Sequence, residues 1–264
     1  VFQGMEGAYG QAAMKTYFGE DCNSYSVRTF RDAMEAIEEG AADYAVLPIE
    51  NSTAGAVNEV YDLLVEFENY IVGEVIIPIT HTLAGLPGTQ LSELKRVYSK
   101  AEALMQTTRF LEEHSDWQQI SVANTAIAAK KILDDQDRTQ AAVCSAYAAK
   151  VYGLEVLEDN INDESGNCTR FIIVTNQKVF LKGAKKISIC FEVPHESGSL
   201  YHLLSHFIYN DLNMSKIESR PIEGRSWEYR FFVDFEGNLE EPGVKNALRG
   251  LREESRSLKI LGNY

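Results

Sequence analysis

At Lys182-Gly183-Ala184-Lys185-Lys186 the hydrophobic pattern of this chain changes period, and no other feature constrains its fold as much. Beyond that link, Ile187, Ile189, Phe191 and Val193 alternate with polar or small residues, as a strand with one buried face requires. Leu200, Leu203, Leu204, Phe207 and Ile208 then take the spacing of a helix lying on a sheet. A run through Met214 to Ser219 follows, and after it a second alternating strand in Trp227, Tyr229, Phe231, Val233 and Phe235. A helix carrying Val244, Ala247, Leu248 and Leu251 precedes the closing pair Leu258 and Ile260. The order is βαββαβ, a ferredoxin-like domain over residues 185–264.

Residues 1–180 obey a different rule, in which short apolar runs alternate with amphipathic stretches as in an α/β domain. Phe30, Ala33, Met34 and Ile37 keep helical spacing before the run Tyr44 to Ile49. Leu104, Thr108 and Leu111 do the same before Ile120 to Ala123. Mostly parallel strands with helices on their faces are expected, and 264 residues suffice for two such regions.

Charge and motif content remove several classes of function. A net charge of -14 opposes the clustered Lys and Arg that nucleic acid demands. The apolar runs are short and broken by charge, and no leader opens the chain, so neither a membrane nor secretion is expected and the reading is cytoplasmic. Cys22, Cys144, Cys168 and Cys190 form no C-x-x-C pair and read as reduced, mostly buried thiols. Gly4, Gly7 and Gly10 have the wrong spacing for a dinucleotide loop and read as a tight turn into a helix. His202 and His206 stand four apart without H-E-x-x-H support and read as solvated helix residues. No G-x-S-x-G elbow or P-loop occurs, so the usual nucleophilic and phosphate-handling machinery is absent, and with neither the cysteines nor the histidines spaced as a ligand set no metal is expected.

Four hydroxyls stand where an apolar run yields to a helical pattern: Ser52, Ser99, Thr125 and Ser145. Each reads first as a helix N-cap worth about 1 kcal/mol. Together, at the carboxyl ends of strands, such junctions also suit a small carboxylate or phosphate.

The segment Asn167-Cys168-Thr169-Arg170-Phe171 resembles the N-x-T-R-F motif of prephenate dehydratases. "FQGMEGAYGQAA" is similar to that family's opening glycine loop and "VLPIENSTAG" to its Asn-Ser-x-x-Gly segment. "GSL" at Gly198 to Leu200 and "ESRP" at Glu218 to Pro221 resemble the phenylalanine-binding motifs of its C-terminal ACT domain. The resemblance implies two α/β lobes like those of periplasmic binding proteins over residues 1–180, and an ACT domain over 185–264. It implies conversion of prephenate to phenylpyruvate with loss of water and carbon dioxide, without a cofactor. Arogenate dehydratase and a non-catalytic amino-acid sensor are the alternatives.

Carried over by position, the resemblance makes Thr169 the donor to the departing hydroxyl, with Arg170 and Phe171 shaping the pocket. Glu50 is the rival acid if burial keeps it protonated. Asn51, Ser52, Gly55, Ser99, Gln106 and Thr125 are the expected substrate contacts. Gly198, Ser199, Leu200, Glu218, Ser219, Arg220 and Pro221 are the expected phenylalanine contacts, which implies a homodimer or homotetramer. The chain departs from the family at Ser99-Lys100-Ala101-Glu102, where Ser-His-Pro-Gln is common, at Gly10, where Ser is usual, and at Ser199, where Ala is usual. It opens without Met in what reads as mid-strand, so residues are expected upstream, and the resemblance admits a chorismate mutase domain there.

Overall fold

A computed structural model describes all 264 residues. In chain order the first elements are β1 (Phe2–Gln3), α1 (Tyr9–Phe18), β2 (Ser26–Val27), α2 (Phe30–Glu38), β3 (Ala45–Asn51) and β4 (Gly55–Ala56). Next come α3 (Asn58–Glu66), β5 (Tyr70–Pro78), β6 (Thr82–Gly85), β7 (Arg96–Ser99), α4 (Ala101–Met105) and α5 (Thr108–Glu112). They are followed by β8 (Gln118–Ser121), α6 (Thr125–Asp135), β9 (Gln140–Cys144), α7 (Ala146–Val151), β10 (Glu155–Glu158) and β11 (Cys168–Thr175). The last six are β12 (Lys186–Glu192), α8 (Ser199–Ile208), β13 (Met214–Pro221), β14 (Tyr229–Glu236), α9 (Pro242–Glu254) and β15 (Ser257–Asn263).

The chain divides into two compact units, and the divisions fall just before α2 and within β3, β4, β5 and β11. The first comprises residues 1–29, 50–55 and 75–171. Its sheet runs β10-β6-β9-β7-β8. β7 is parallel to β8 and β9, whereas β6 is antiparallel to both β9 and β10. The expectation of mostly parallel strands therefore holds only for part of this sheet; period reports which side chains are buried and not which way the neighbouring strand runs. One face is filled by alanines, with Ala84, Ala128, Ala129, Ala142 and Ala148 buried beside Tyr98 and Ile132. The other packs Leu83, Val97, Leu111, Val143 and Trp117. The helix expected around Leu104 to Leu111 is two short helices, α4 and α5, broken at Gln106 and Thr107. Thr107 sends its hydroxyl back to the Ala103 carbonyl at 3.0 Å, a local bond that competes with the helical ladder.

The second unit comprises residues 30–49, 56–74 and 172–264. Within it, β12–α8–β13–β14–α9–β15 follows the expected order. The strands lie β13-β14-β12-β15, each antiparallel to its neighbour. Ile187, Ile189, Phe191, Phe207, Val233, Phe235 and Leu251 form its core. Each large side chain there contributes about 1.5–3 kcal/mol by leaving water. β15 extends the sheet to β5 through one parallel step, Gly262 against Ile71. A Cβ on Gly262 would lie 2.2 Å from the Ile71 carbonyl oxygen, so the close approach of the two backbones requires glycine.

Two residues assigned by spacing behave otherwise. Ile208 is 65% exposed at the end of α8, beyond the last turn that faces the sheet. Trp227 precedes β14 and is 77% exposed, in a turn where Ile222 N–H reaches the Glu228 carbonyl and Trp227 itself has φ +65°. His206 is half-buried against Gly250 rather than solvated, with Nε2 3.1 Å from Glu254. Gly4 (φ +118°) and Gly7 (φ +82°) do make the tight turn into α1. All four cysteines are free, and burial pushes the Cys144 thiol up to about 12. No helix is long and apolar enough to cross a membrane.

Candidate active site

The candidate site lies in the first unit, where β3 ends at Asn51 and β11 begins at Cys168. Asn51 opens an Asx turn: its Oδ1 accepts the backbone N–H groups of Thr53 (3.0 Å) and Ala54 (2.9 Å) and the Thr53 hydroxyl (2.8 Å). Gly55, at φ +83°, lets the chain leave this turn. Because backbone donors cannot be reversed, the Asn51 oxygen must face the turn and its NH2 must face β11. That amide donates to Asn167 Oδ1 at 2.9 Å, to the Cys168 carbonyl at 3.2 Å and to Thr169 Oγ1 at 2.9 Å.

The orientation propagates. Asn167 Oδ1 is an acceptor, so its NH2 donates onward to Gln106 Oε1 at 3.2 Å. Gln106 Oε1 is thereby an acceptor too, and its Nε2 lies 3.4 Å from the Thr53 hydroxyl. Thr169, buried at 9% exposure, receives a hydrogen bond from Asn51 and donates none to the protein. Its hydroxyl proton is therefore left without an acceptor in the protein.

Ser52 is not a helix cap: its hydroxyl faces Asn167 Oδ1 at 3.3 Å and accepts the Cys168 N–H at 3.0 Å, tying the two segments together. Cys168 contributes only backbone groups to these bonds. Phe171 is buried two residues beyond Thr169. Arg170 is 13% exposed, and its guanidinium lies 3.7 Å from Glu50. Glu50 is one-third exposed and faces that cation.

The remaining hydroxyls divide. Ser99 is fully buried at the end of β7 and donates to the Val143 carbonyl at 2.6 Å; it bonds across the sheet instead of capping a helix. Thr125 is the first residue inside α6, whose cap is Asn124, accepting the Ile127 N–H at 2.8 Å. No hydrogen bond joins Thr125 to the network. Ser145 alone caps as expected, accepting from Ala148 N–H at 3.0 Å.

Sequence reasoning missed His81, Asn167 and Thr53. Asn167 begins the N-x-T-R-F motif and was legible there; a lone His81 carries no pattern. His81 is 2% exposed, with Nε2 3.0 Å from Gln106 Oε1. Its backbone is held on both sides, N–H to Asn162 Oδ1 (2.6 Å) and carbonyl to Ile161 N–H (3.0 Å). Burial pushes the imidazole below its ordinary value.

In the second unit, Gly198 (φ +84°) precedes α8, with Ser199 and Leu200 half-buried in its first turn. Glu218, Ser219, Arg220 and Pro221 end β13, alternating half-buried and exposed. β12 and β13 are both antiparallel to β14, and Arg230 is the register partner of Glu192 on one side and Arg220 on the other. The end of β13 and the start of α8 therefore lie at one end of this sheet. Arg220 holds Asp62 of α3 in a two-pronged pair at 2.6 and 3.0 Å. Glu192, 9% exposed in its side chain, is pushed up by burial, but Arg230 (2.6 Å) and Arg225 (2.8 Å) outweigh that and hold it below the usual carboxylate range.

Comparison with known proteins places this geometry in a family. Residues 1–179 match the model described as "Prephenate dehydratase". Over its whole length the chain is 37% identical to the bifunctional chorismate mutase/prephenate dehydratase of Aquifex aeolicus (strain VF5), of which it covers 72%. A prephenate dehydratase from Arthrobacter aurescens, solved in complex with L-Phe, superposes with a TM-score of 0.91 at 31% identity, covering all of this chain and 88% of that one. GqqA, described as a novel type of quorum quenching acylases, superposes equally well, with a TM-score of 0.91 at 32% identity over 99% of this chain and 95% of that one. The chain belongs to the prephenate dehydratase family, and its activity is that of a lyase.

Proposed function

We propose that the first unit converts prephenate to phenylpyruvate with Thr169 as the donor to the departing hydroxyl. The ring carboxylate leaves as carbon dioxide, its bonding pair enters the ring, and the C–O bond opposite breaks. The hydroxide that departs takes up a proton to become water. Aromatisation drives the step, so the protein has only to hold the dianion and meet the charge that grows on the leaving oxygen. Thr169 meets it with its hydroxyl proton, which no acceptor in the protein holds; solvent supplies the net proton consumed. The observation that carries this reading is the Asn51 amide 2.9 Å from Thr169 Oγ1, which makes the hydroxyl accept from one side and donate on the other. Arg170 and Phe171 border that hydroxyl in sequence and are assigned to substrate orientation, with Glu50 keeping Arg170 in place. Asn51, Ser52, Gly55 and Gln106 build the wall of the site.

An acyl-transfer reading, suggested by the likeness to GqqA, needs a base within reach of a nucleophile. The neighbour of Thr169 is an amide NH2, and His81 Nε2 is committed to Gln106. That favours dehydration.

Residues 185–264 are assigned as a phenylalanine-responsive ACT domain, using Gly198, Ser199, Leu200, Glu218, Ser219, Arg220 and Pro221 in a dimer or tetramer. Support comes from the shared sheet end of the two motifs and from the L-Phe complex of the relative. Four free thiols suit a cytoplasmic protein. The test is product formation from prephenate and from arogenate, each with and without phenylalanine. Phenylpyruvate formation suppressed by phenylalanine is the expected result. Turnover of arogenate alone would change the substrate, and no turnover by folded protein that binds phenylalanine would leave a sensor.

A further inference from the structure

His81 is a buried imidazole that the reaction as described does not use. The network around Thr169 fixes where its proton sits. Thr53 and Ala54 backbone N–H groups orient Asn51, Asn51 orients Asn167, and Asn167 donates to Gln106 Oε1. An oxygen 3.0 Å from His81 Nε2 demands that Nε2 carry the hydrogen. Nδ1 is then a bare acceptor, and it is buried with no hydrogen-bond partner. A buried acceptor without a partner costs stability, so an apolar residue of similar size would serve the core at least as well. Only the bond to Gln106 offsets that cost.

We infer that His81 is a positioning residue: its Nε2–H holds the Gln106 carboxamide by Oε1, so that the Gln106 NH2 keeps its place in the wall of the site beside Thr53. The inference rests on the reading of this site as the one that converts prephenate. Gln106 Oε1 receives two donors, from His81 and Asn167, and losing the first leaves the carboxamide held there by Asn167 alone, at 3.2 Å, and free to swing about that one bond. Asn167 stays fixed by Asn51, so it is the Gln106 amide whose place in the wall is lost. The backbone clamp of His81 by Asn162 and Ile161 does not involve the ring and survives substitution.

The experiment measures kcat and KM for prephenate, and the melting temperature, in His81→Leu, Gln106→Leu, the double variant and Thr169→Ala. His81→Leu should melt no lower than the parent yet lose about 10- to 100-fold in kcat, the range of a misplaced catalytic group, with KM changed less than about 3-fold. In the Gln106→Leu background the same change should have little further effect, because the two act as one unit. Gln places an amide nitrogen where His Nε2 stands, whereas Asn places it at Nδ1, so His81→Gln should recover most of the lost kcat and His81→Asn should not. These two amides also decide the matter if Leu prevents folding. Full kcat in His81→Leu, additive losses with Gln106→Leu, or equal activity of the Gln and Asn variants would overturn the role of His81. Thr169→Ala at full activity would instead overturn the reading of the site itself.

Discussion

Asn51 Nδ2 and Thr169 Oγ1, 118 residues apart in the chain, lie 2.9 Å from each other. The donor in that pair is fixed by backbone N–H groups on the far side of Asn51, so the threonine hydroxyl has no choice but to accept there and donate elsewhere.

Thr169→Ala should therefore lose about 10²- to 10³-fold in kcat, the usual cost of removing one donor to a developing oxyanion. Cys168→Ser should keep parental kcat, since that residue bonds only through its backbone. Steady-state rates with prephenate check both.

Asn51→Asp keeps the turn, because one carboxylate oxygen still accepts from Thr53 and Ala54. The other oxygen now faces Thr169 Oγ1 and captures its proton. A loss of kcat as large as that of Thr169→Ala is expected, with circular dichroism unchanged, although the side chains differ by one atom type.

Acid sensitivity should have a component from His81. Its folded value lies below the ordinary 6.5, so between the two values the unfolded chain binds a proton that the folded one does not. Stability is complete above about 6.5 and falls as pH drops through that window. Denaturation midpoints of His81→Leu should vary less with pH there than those of the parent.

Glu192 adds a second component at lower pH. Arg230 and Arg225 hold it below the ordinary 4.5, so its contribution is present above 4.5 and is lost as pH falls through the folded value. Glu192→Gln should flatten the acid limb of unfolding and should also lower stability at neutral pH, where Arg230 loses its carboxylate and Arg225 keeps only Glu228.

Gly262→Val should destabilise the second unit by several kcal/mol, more than an ordinary point substitution, because a Cβ would meet the Ile71 backbone at 2.2 Å. A urea midpoint close to the parental one would show that β15 and β5 can part without cost.

Local pattern alone determined the βαββαβ order of residues 186–263, since alternation and the helical period are properties of neighbours a few residues apart. The same holds for the buried face of α2, with Ala33, Met34 and Ile37, and for the cap at Ser145. The motif at Asn167 to Phe171 identified Thr169 by resemblance. Tertiary structure decided the rest. Ser52, Ser99 and Thr125 sit at junctions that look like caps, yet only the partner strand or loop determines where each hydroxyl points. The antiparallel run of β6 and β10 and the exposure of Trp227 depend likewise on neighbours distant in sequence. The side on which Thr169 accepts is set by Asn51, and Asn167, Gln106 and His81 join that network from three further segments. A hydrogen bond has a direction and a reach of about 3 Å, and neither is written in the identity of a residue until its partner is in place.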